Sequence, residues 1–201
     1  MAKWGRHAEA VATLVSFDCF LRVGEMTRIR YEDVAMPNDP RMGAVHAHMV
    51  LRLAQTKTGL NQSVSVDDPV VRRALHRYLL AYPFMSRDRI FPFSPAAFRR
   101  TIREVSESLG LSRIPFVPHS FRHGGATHYF FRGVSIEDIM FRGRWVALES
   151  TRRYITTARA LLLLNTIPPR LHDAGRALAP HMADVLLTLM ETVPTVRVRR
   201  W

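Results

Sequence analysis

Lysine is almost missing from this chain. Of 29 basic residues in 201, only Lys3 and Lys57 are lysine, so the other 27 (29 minus 2) are arginine. A GC-rich genome would write Arg for Lys in this way, yet the physical result is a surface of planar, bidentate donors instead of point charges that can give up a proton. Lys57 is thereby singled out as the one lysine beyond the first few residues. Cysteine is as scarce. The lone Cys19 excludes internal disulfides and any cysteine-rich zinc site, and its place on an apolar helix face makes it a small core residue. Long hydrophobic runs are absent too. The longest aliphatic stretch, Ala160 to Leu164, falls far short of the ~18 residues a membrane span needs, and no charged-then-apolar signal pattern opens the chain. The sequence reads as soluble and intracellular.

Missing motifs narrow the chemistry. No glycine-rich loop ends in Gly-Lys-Ser/Thr and no Gly-x-Ser-x-Gly elbow occurs, which removes nucleotide hydrolysis and serine hydrolase chemistry. His46 with His48 would share a strand face and His119 with His123 a helix face. However, Ser120 stands where a His-Glu-x-x-His zinc protease needs Glu, and no carboxylate or Cys cluster completes a shell. Neither a metal nor another cofactor is expected.

What is present describes a folded, basic domain. With 47% hydrophobic and 23% charged residues, the 23.1 kDa chain can bury an ordinary core, so wholesale disorder is excluded. Basic minus acidic residues, 29 minus 17, leaves +12, which favours a polyanionic partner, nucleic acid first.

Periodicity gives a mainly α chain with a small antiparallel β-sheet. Ala8, Val11, Val15 and Cys19 recur at helical spacing, and Arg22-Val-Gly24 breaks into a second short helix over Glu25 to Ile29, placing Arg22 near a helix junction. Met49, Leu51 and Leu53 alternate, as do Val64 and Val66, around a turn at 58–61, which predicts a hairpin with Lys57 at its tip. Asp68-Pro69 and Ser94-Pro95 are N-cap plus first-turn proline signals, closed by Pro83 and Gly110. Helices follow from Pro118 to Gly133, from Ser135 with Asp138 as a capping pair, from Glu149 to about Leu164, and from Pro180 to Val193. No linker divides the chain; we expect a main unit over 1–170 and a C-terminal helix with a basic tail over 171–201.

His119 and Arg122 lie three apart, hence on one helix face, able to hold one phosphate between them. Alone, this spacing and that of Arg22 and Glu25 are no more than composition predicts. The ordered set is more specific. FLRVGEMTRIRYEDV over 20–34, the Thr56-Lys57-Thr58 hairpin tip, PHSFRHGGAT from Pro118, and Gly143-Arg-Trp145 with Tyr154 nine residues later resemble the tyrosine recombinase, or phage integrase, family. The likeness runs from about Val11 to Ile155, with Trp145 lying 23 residues after Arg122, and the Gly-Arg-Trp wording is similar to recombinases of eukaryotic mobile elements.

This resemblance implies a catalytic domain that breaks and rejoins double-stranded DNA through a 3′-phosphotyrosine. Arg22 and Arg122 would clamp the phosphate, Lys57 would be the general acid, His119 an acid/base group, Trp145 the variable donor and Tyr154 the nucleophile. Glu25 would support Arg22. The chemistry is coherent: positioned guanidinium forks stabilise charge that grows in the transition state, and a phenol of reference pKa near 10 needs a neighbour to take its proton. The apolar stripe Met182, Val185, Leu186, Leu189, Met190 and Val193 would dock on a second subunit on DNA or cover its own core. Family members carry an N-terminal helical domain that grips the far side of the DNA, and this sequence starts almost at the catalytic domain. That half would come from an upstream segment or a partner, or the gene would be a non-catalytic remnant; a type IB topoisomerase-like nicking and closing activity is the other alternative. The expected location is the nucleus in a eukaryote and the cytoplasm or nucleoid in a bacterium.

Overall fold

The computed structural model describes residues 1–37, 39–40, 48–56, 59–155 and 157–193. Its central element is α1 (His7–Asp18), whose Val11, Ala12 and Val15 are fully buried, with α3 (Pro69–Ala81) and α5 (Pro118–Phe131) packed against it. A full turn of core aliphatics on one helix removes enough apolar surface from water, at about 1.5–3 kcal/mol per large side chain, to organise the elements around it.

The sheet is a three-stranded antiparallel ribbon, β1 (Val34–Ala35), β2 (Met49–Thr56) and β3 (Gly59–Val66), in the order β1-β2-β3. Met49 pairs with Val66 and Leu51 with Val64, so the alternation seen in the sequence turns Met49, Leu51, Leu53, Val64 and Val66 toward one core. Lys57, expected at the tip of this hairpin, lies outside the described residues, as do His46 and the basic tail. The short helix after Arg22 is α2 (Val23–Met26), earlier and shorter than its expected span.

Local chemistry sets the helix starts. Asp68 Oδ1 accepts from the Val70 and Val71 N–H groups before α3, Ser94 Oγ from Ala97 N–H before α4 (Pro95–Ser108), and Ser135 Oγ from Asp138 N–H before α6 (Ile136–Gly143). One expectation fails. The single helix over Glu149 to Leu164 is two, α7 (Leu148–Tyr154) and α8 (Thr157–Thr166), separated at Ile155, whose backbone is extended at φ −86°, ψ 92°. The β-branched run Ile155-Thr-Thr is a poor helix interior, and the Thr127 hydroxyl of α5 donates to the Tyr154 carbonyl at 3.3 Å, giving that carbonyl a partner outside its own helix.

The sequence also gave no sign of α9 (Pro169–Leu178), which buries none of its residues. α10 (Met182–Thr192) packs on α3 and on the 3-10 turn Ala2–Trp4 of its own chain, burying Ala183 and Leu186 against Ala74 and Ala2. Cys19 is buried as expected, immediately after the last residue of α1.

Candidate active site

The site is built where two helix ends meet. α1 stops at a residue in the left-handed region, Phe20 (φ 48°), with Leu21 N–H reaching back to the Ser16 carbonyl. α6 stops in the same way at Arg144 (φ 56°), where Arg144 N–H bonds the Phe141 carbonyl and Trp145 N–H the Met140 carbonyl. Both are the six-to-one closure of a helix C-terminus, which normally places glycine at the left-handed position. A side chain there costs roughly 1–2 kcal/mol, so each must be held by its surroundings.

Those surroundings are arginines. Arg122, on α5, is wholly buried; its Nη1 donates to the Phe20 carbonyl and its Nη2 to the Gly143 carbonyl at 2.5 Å. Arg144 Nη2 donates to the Phe20 carbonyl at 3.2 Å and to Glu25 Oε2 at 2.9 Å. Glu25, on α2, also accepts from Arg22 Nη1 at 2.6 Å and from the Arg22 backbone N–H at 2.9 Å. Burial alone would raise the Glu25 carboxyl, but the Arg144 charge and the Arg22 hydrogen bonds outweigh it and hold the pKa below the usual carboxylate value. Arg122 is pulled down to about 10 by burial and then by the charges of Arg22 and Arg144, which still leaves it a cation at neutral pH.

Aromatic rings complete the wall. Trp145 packs on Phe20 (6.1 Å between centroids) and on Tyr154 (4.4 Å), and the Arg122 guanidinium carbon lies 4.6 Å from the Trp145 ring and 5.2 Å from the Tyr154 ring. A β-carbon on Gly143 would stand 2.2 Å from the Trp145 ring, so the indole fits only over a glycine. Trp145 Nε1 and Arg122 Nε are buried with no hydrogen-bond acceptor among the described residues. On α5, His119 and His123 share a face one turn apart, with ring centroids 5.3 Å and 4.5 Å from that of Tyr154. Burial, then the neighbouring His123, Arg122 and Arg22, lowers the His119 pKa, so its imidazole is neutral at pH 7.

These groups line one cleft of about 440 Å³, bounded by Arg22, His119, His123, Arg144, Trp145 and Tyr154, with Val146, Ser150 and Arg153 at its edge. Five of the six sequence-predicted catalytic residues therefore converge, Arg122 from beneath the floor, and Glu25 is bonded to Arg22. Lys57 lies outside the described residues. Sequence reasoning missed His123 and Arg144. His123 carries a signal, being four residues from His119 on one face, though that spacing by itself points only to a metal ligand; Arg144 carries no local signal. Among the described residues, no three His, Cys, Asp or Glu side chains gather as a metal site would require, and no helix is long and apolar enough to cross a membrane.

Sequence comparison reaches the same segments. The model of the Phage integrase family matches residues 6–160, more than half of the chain and every site residue named above. The chain belongs to the phage integrase family. It is 28% identical over 199 residues to the tyrosine recombinase XerC of Rhodospirillum centenum (strain ATCC 51521 / SW), across 92% of this chain and 53% of that protein. It thus spans about half the length of this relative. The XerA recombinase crystal structure superposes with a TM-score of 0.56 at 20% identity, over 83% of this chain and 62% of that one. XerH bound to its difH substrate before cleavage gives 0.59 at 15% identity, over 81% and 46%. The Tn1549 transposon integrase with circular intermediate DNA gives 0.54 at 15%, over 76% and 56%. At these identities the likeness is one of fold, that of the tyrosine recombinase catalytic domain.

Proposed function

We propose that this phage integrase family member is a DNA strand transferase that cleaves one strand at a time through Tyr154. The observation that carries the reading is convergence: Arg22, His119, Trp145 and Tyr154, from separate segments, line one cleft with Arg122 directly beneath. In the proposed step the Tyr154 oxygen attacks the phosphorus, the bond to the 5′ oxygen breaks, and a 3′-phosphotyrosine and a free 5′ hydroxyl result. Neutral His119 accepts the phenol proton, and Lys57, by family resemblance, returns one to the leaving oxygen. Arg22 stabilises charge on the non-bridging oxygens as a donor, the buried Arg122 adds its charge from beneath, and Trp145, by family resemblance, is the variable donor.

Double-stranded DNA is the proposed partner, bound in the compartment that holds it, with residues 1–170 as the reacting unit. Self-association on DNA belongs to the same proposal: α10 would leave α3 for the equivalent surface of a neighbour. The test uses a pool of nicked duplexes of randomised sequence, from which covalent adducts are recovered with the protein and sequenced. We expect a protease-resistant adduct that Tyr154→Phe abolishes. An adduct that survives this change overturns the nucleophile assignment; DNA binding without an adduct identifies a non-catalytic module, and relaxation of supercoils without strand exchange a topoisomerase-like activity.

A further inference from the structure

The strand-transfer reading assigns no role to Arg144, yet this residue breaks two physical rules at once. It occupies a left-handed backbone position that favours glycine, and it buries a long charged side chain of which only 5% is exposed. What it gains is contact. Its guanidinium reaches Glu25 Oε2 at 2.9 Å, the Phe20 carbonyl at 3.2 Å, the Cys19 carbonyl at 3.4 Å and the Arg142 carbonyl at 2.9 Å. These acceptors are the fixed points of the other two arginines: Glu25 holds Arg22, and the Phe20 carbonyl holds Arg122. Residues from three separate segments are thereby locked into one frame.

We propose that Arg144 is a positioning residue, which sets Arg22 through Glu25 and holds the buried Arg122 through the Phe20 carbonyl, so that the Arg22 fork is aimed, and the Arg122 charge is in place beneath the cleft, before a phosphodiester arrives. This rests on the strand-transfer reading above, and it goes beyond it by adding a residue that touches no reacting atom. Preorganised donors act on the transition state without rearrangement, whereas donors left free to swing must be reordered in every turnover. A cation that only ended a helix or filled the core would have no effect on where Arg22 points.

The discriminating variant is Arg144→Gly. Glycine suits the left-handed backbone, so the closure of α6 is kept or improved while the guanidinium is lost. Arg144→Lys keeps a cation near Glu25 but lacks the fork that spans Glu25 and the Phe20 carbonyl. Two readouts are taken on the full 201-residue chain once circular dichroism and thermal unfolding show native folding. In the first, side-chain ¹⁵N NMR of the chain without DNA follows the Arg22 guanidinium, identified by its loss in Arg22→Lys. Its restricted signals should collapse to those of a freely rotating arginine in Arg144→Gly and be partly kept in Arg144→Lys. In the second, with a duplex recovered by the adduct screen, the single-turnover cleavage rate of Arg144→Gly should fall about 10²-fold while DNA affinity changes by no more than about threefold, the Lys variant lying between.

Unchanged Arg22 signals in Arg144→Gly overturn the proposal, as does a rate that falls only in proportion to affinity. A wild-type chain that forms no adduct overturns the strand-transfer reading instead, and the NMR comparison then decides the positioning of Arg22 by itself.

Discussion

Two neighbouring glycines on α5 should respond oppositely to the same added methyl group. A β-carbon at Gly125 would lie 2.0 Å from the Phe17 carbonyl oxygen and 2.8 Å from the Phe20 ring, whereas one at Gly124 would meet only the Phe17 ring, at 3.1 Å. Ordinary contact begins at 3.4 Å, so Gly125→Ala requires a retreat of 3.4 minus 2.0, or 1.4 Å, against backbone that cannot swing aside. Gly124→Ala asks for a few tenths of an ångström from a half-exposed ring. Both substitutions gain up to about 1 kcal/mol of helix propensity, and overpacking of the Gly125 kind typically costs about 1–3 kcal/mol, toward the upper end for a rigid neighbour. The two variants should therefore differ by about 2–3 kcal/mol, or about 5–10 °C in Tm for a chain of this size, with Gly125→Ala the less stable. Because α5 also carries Arg122, and Phe20 supplies its acceptor, an ångström of displacement should lower adduct formation about 10²-fold. Thermal unfolding by circular dichroism and the adduct assay read the two effects. Equal melting of the two variants, or a more stable Gly125→Ala, would refute the close α1–α5 approach on which the site rests.

Two further outcomes follow from buried charge. Asp18 accepts from Tyr129 Oη and from the Asp67 N–H, and pairs with Arg142, which also pairs with Asp67; Asp18→Ala leaves Arg142 to Asp67 but takes the acceptor from the Tyr129 hydroxyl and the Asp67 N–H, and should cost about 1–3 kcal/mol, measured by urea unfolding, with no loss of stability speaking against it. Glu25 has its folded pKa held below the unfolded value of about 4.3, so its stabilisation is complete above that value and is lost as pH falls through the folded pKa. Tm measured from pH 5 down to pH 2 should fall more steeply for the wild type than for Glu25→Gln; parallel curves would mean that Glu25 is not held by its arginines.

What was legible in the sequence was what local chemistry decides. Asp68-Pro69, Ser94-Pro95 and Ser135 announced three helix starts because an N-cap acts within four residues of itself. The alternation of Met49, Leu51 and Leu53 fixed the face of β2 because strand periodicity needs no partner. Arg22, His119, Arg122, Trp145 and Tyr154 were legible through their order, which reflects ancestry more than energetics. The break at Ile155 was not, since the Thr127 hydroxyl that takes the Tyr154 carbonyl lies 27 residues away. Arg144 escaped for the same reason: its acceptors Phe20 and Glu25 are 124 and 119 residues distant, and nothing in a Gly-Arg-Trp triplet shows where that arginine will point.

The cluster of Arg22, Arg122, Arg144 and Glu25 sums three guanidinium charges against one carboxylate, an excess of two positive charges packed close enough to depress the Arg122 pKa. Mutual repulsion of this kind is a standing load on the native state, and any oxyanion that enters the cleft relieves it. Sulfate or phosphate in a storage buffer should then act as a folding aid in its own right, raising the melting temperature by mass action. Purification in chloride alone would leave the chain at its least durable.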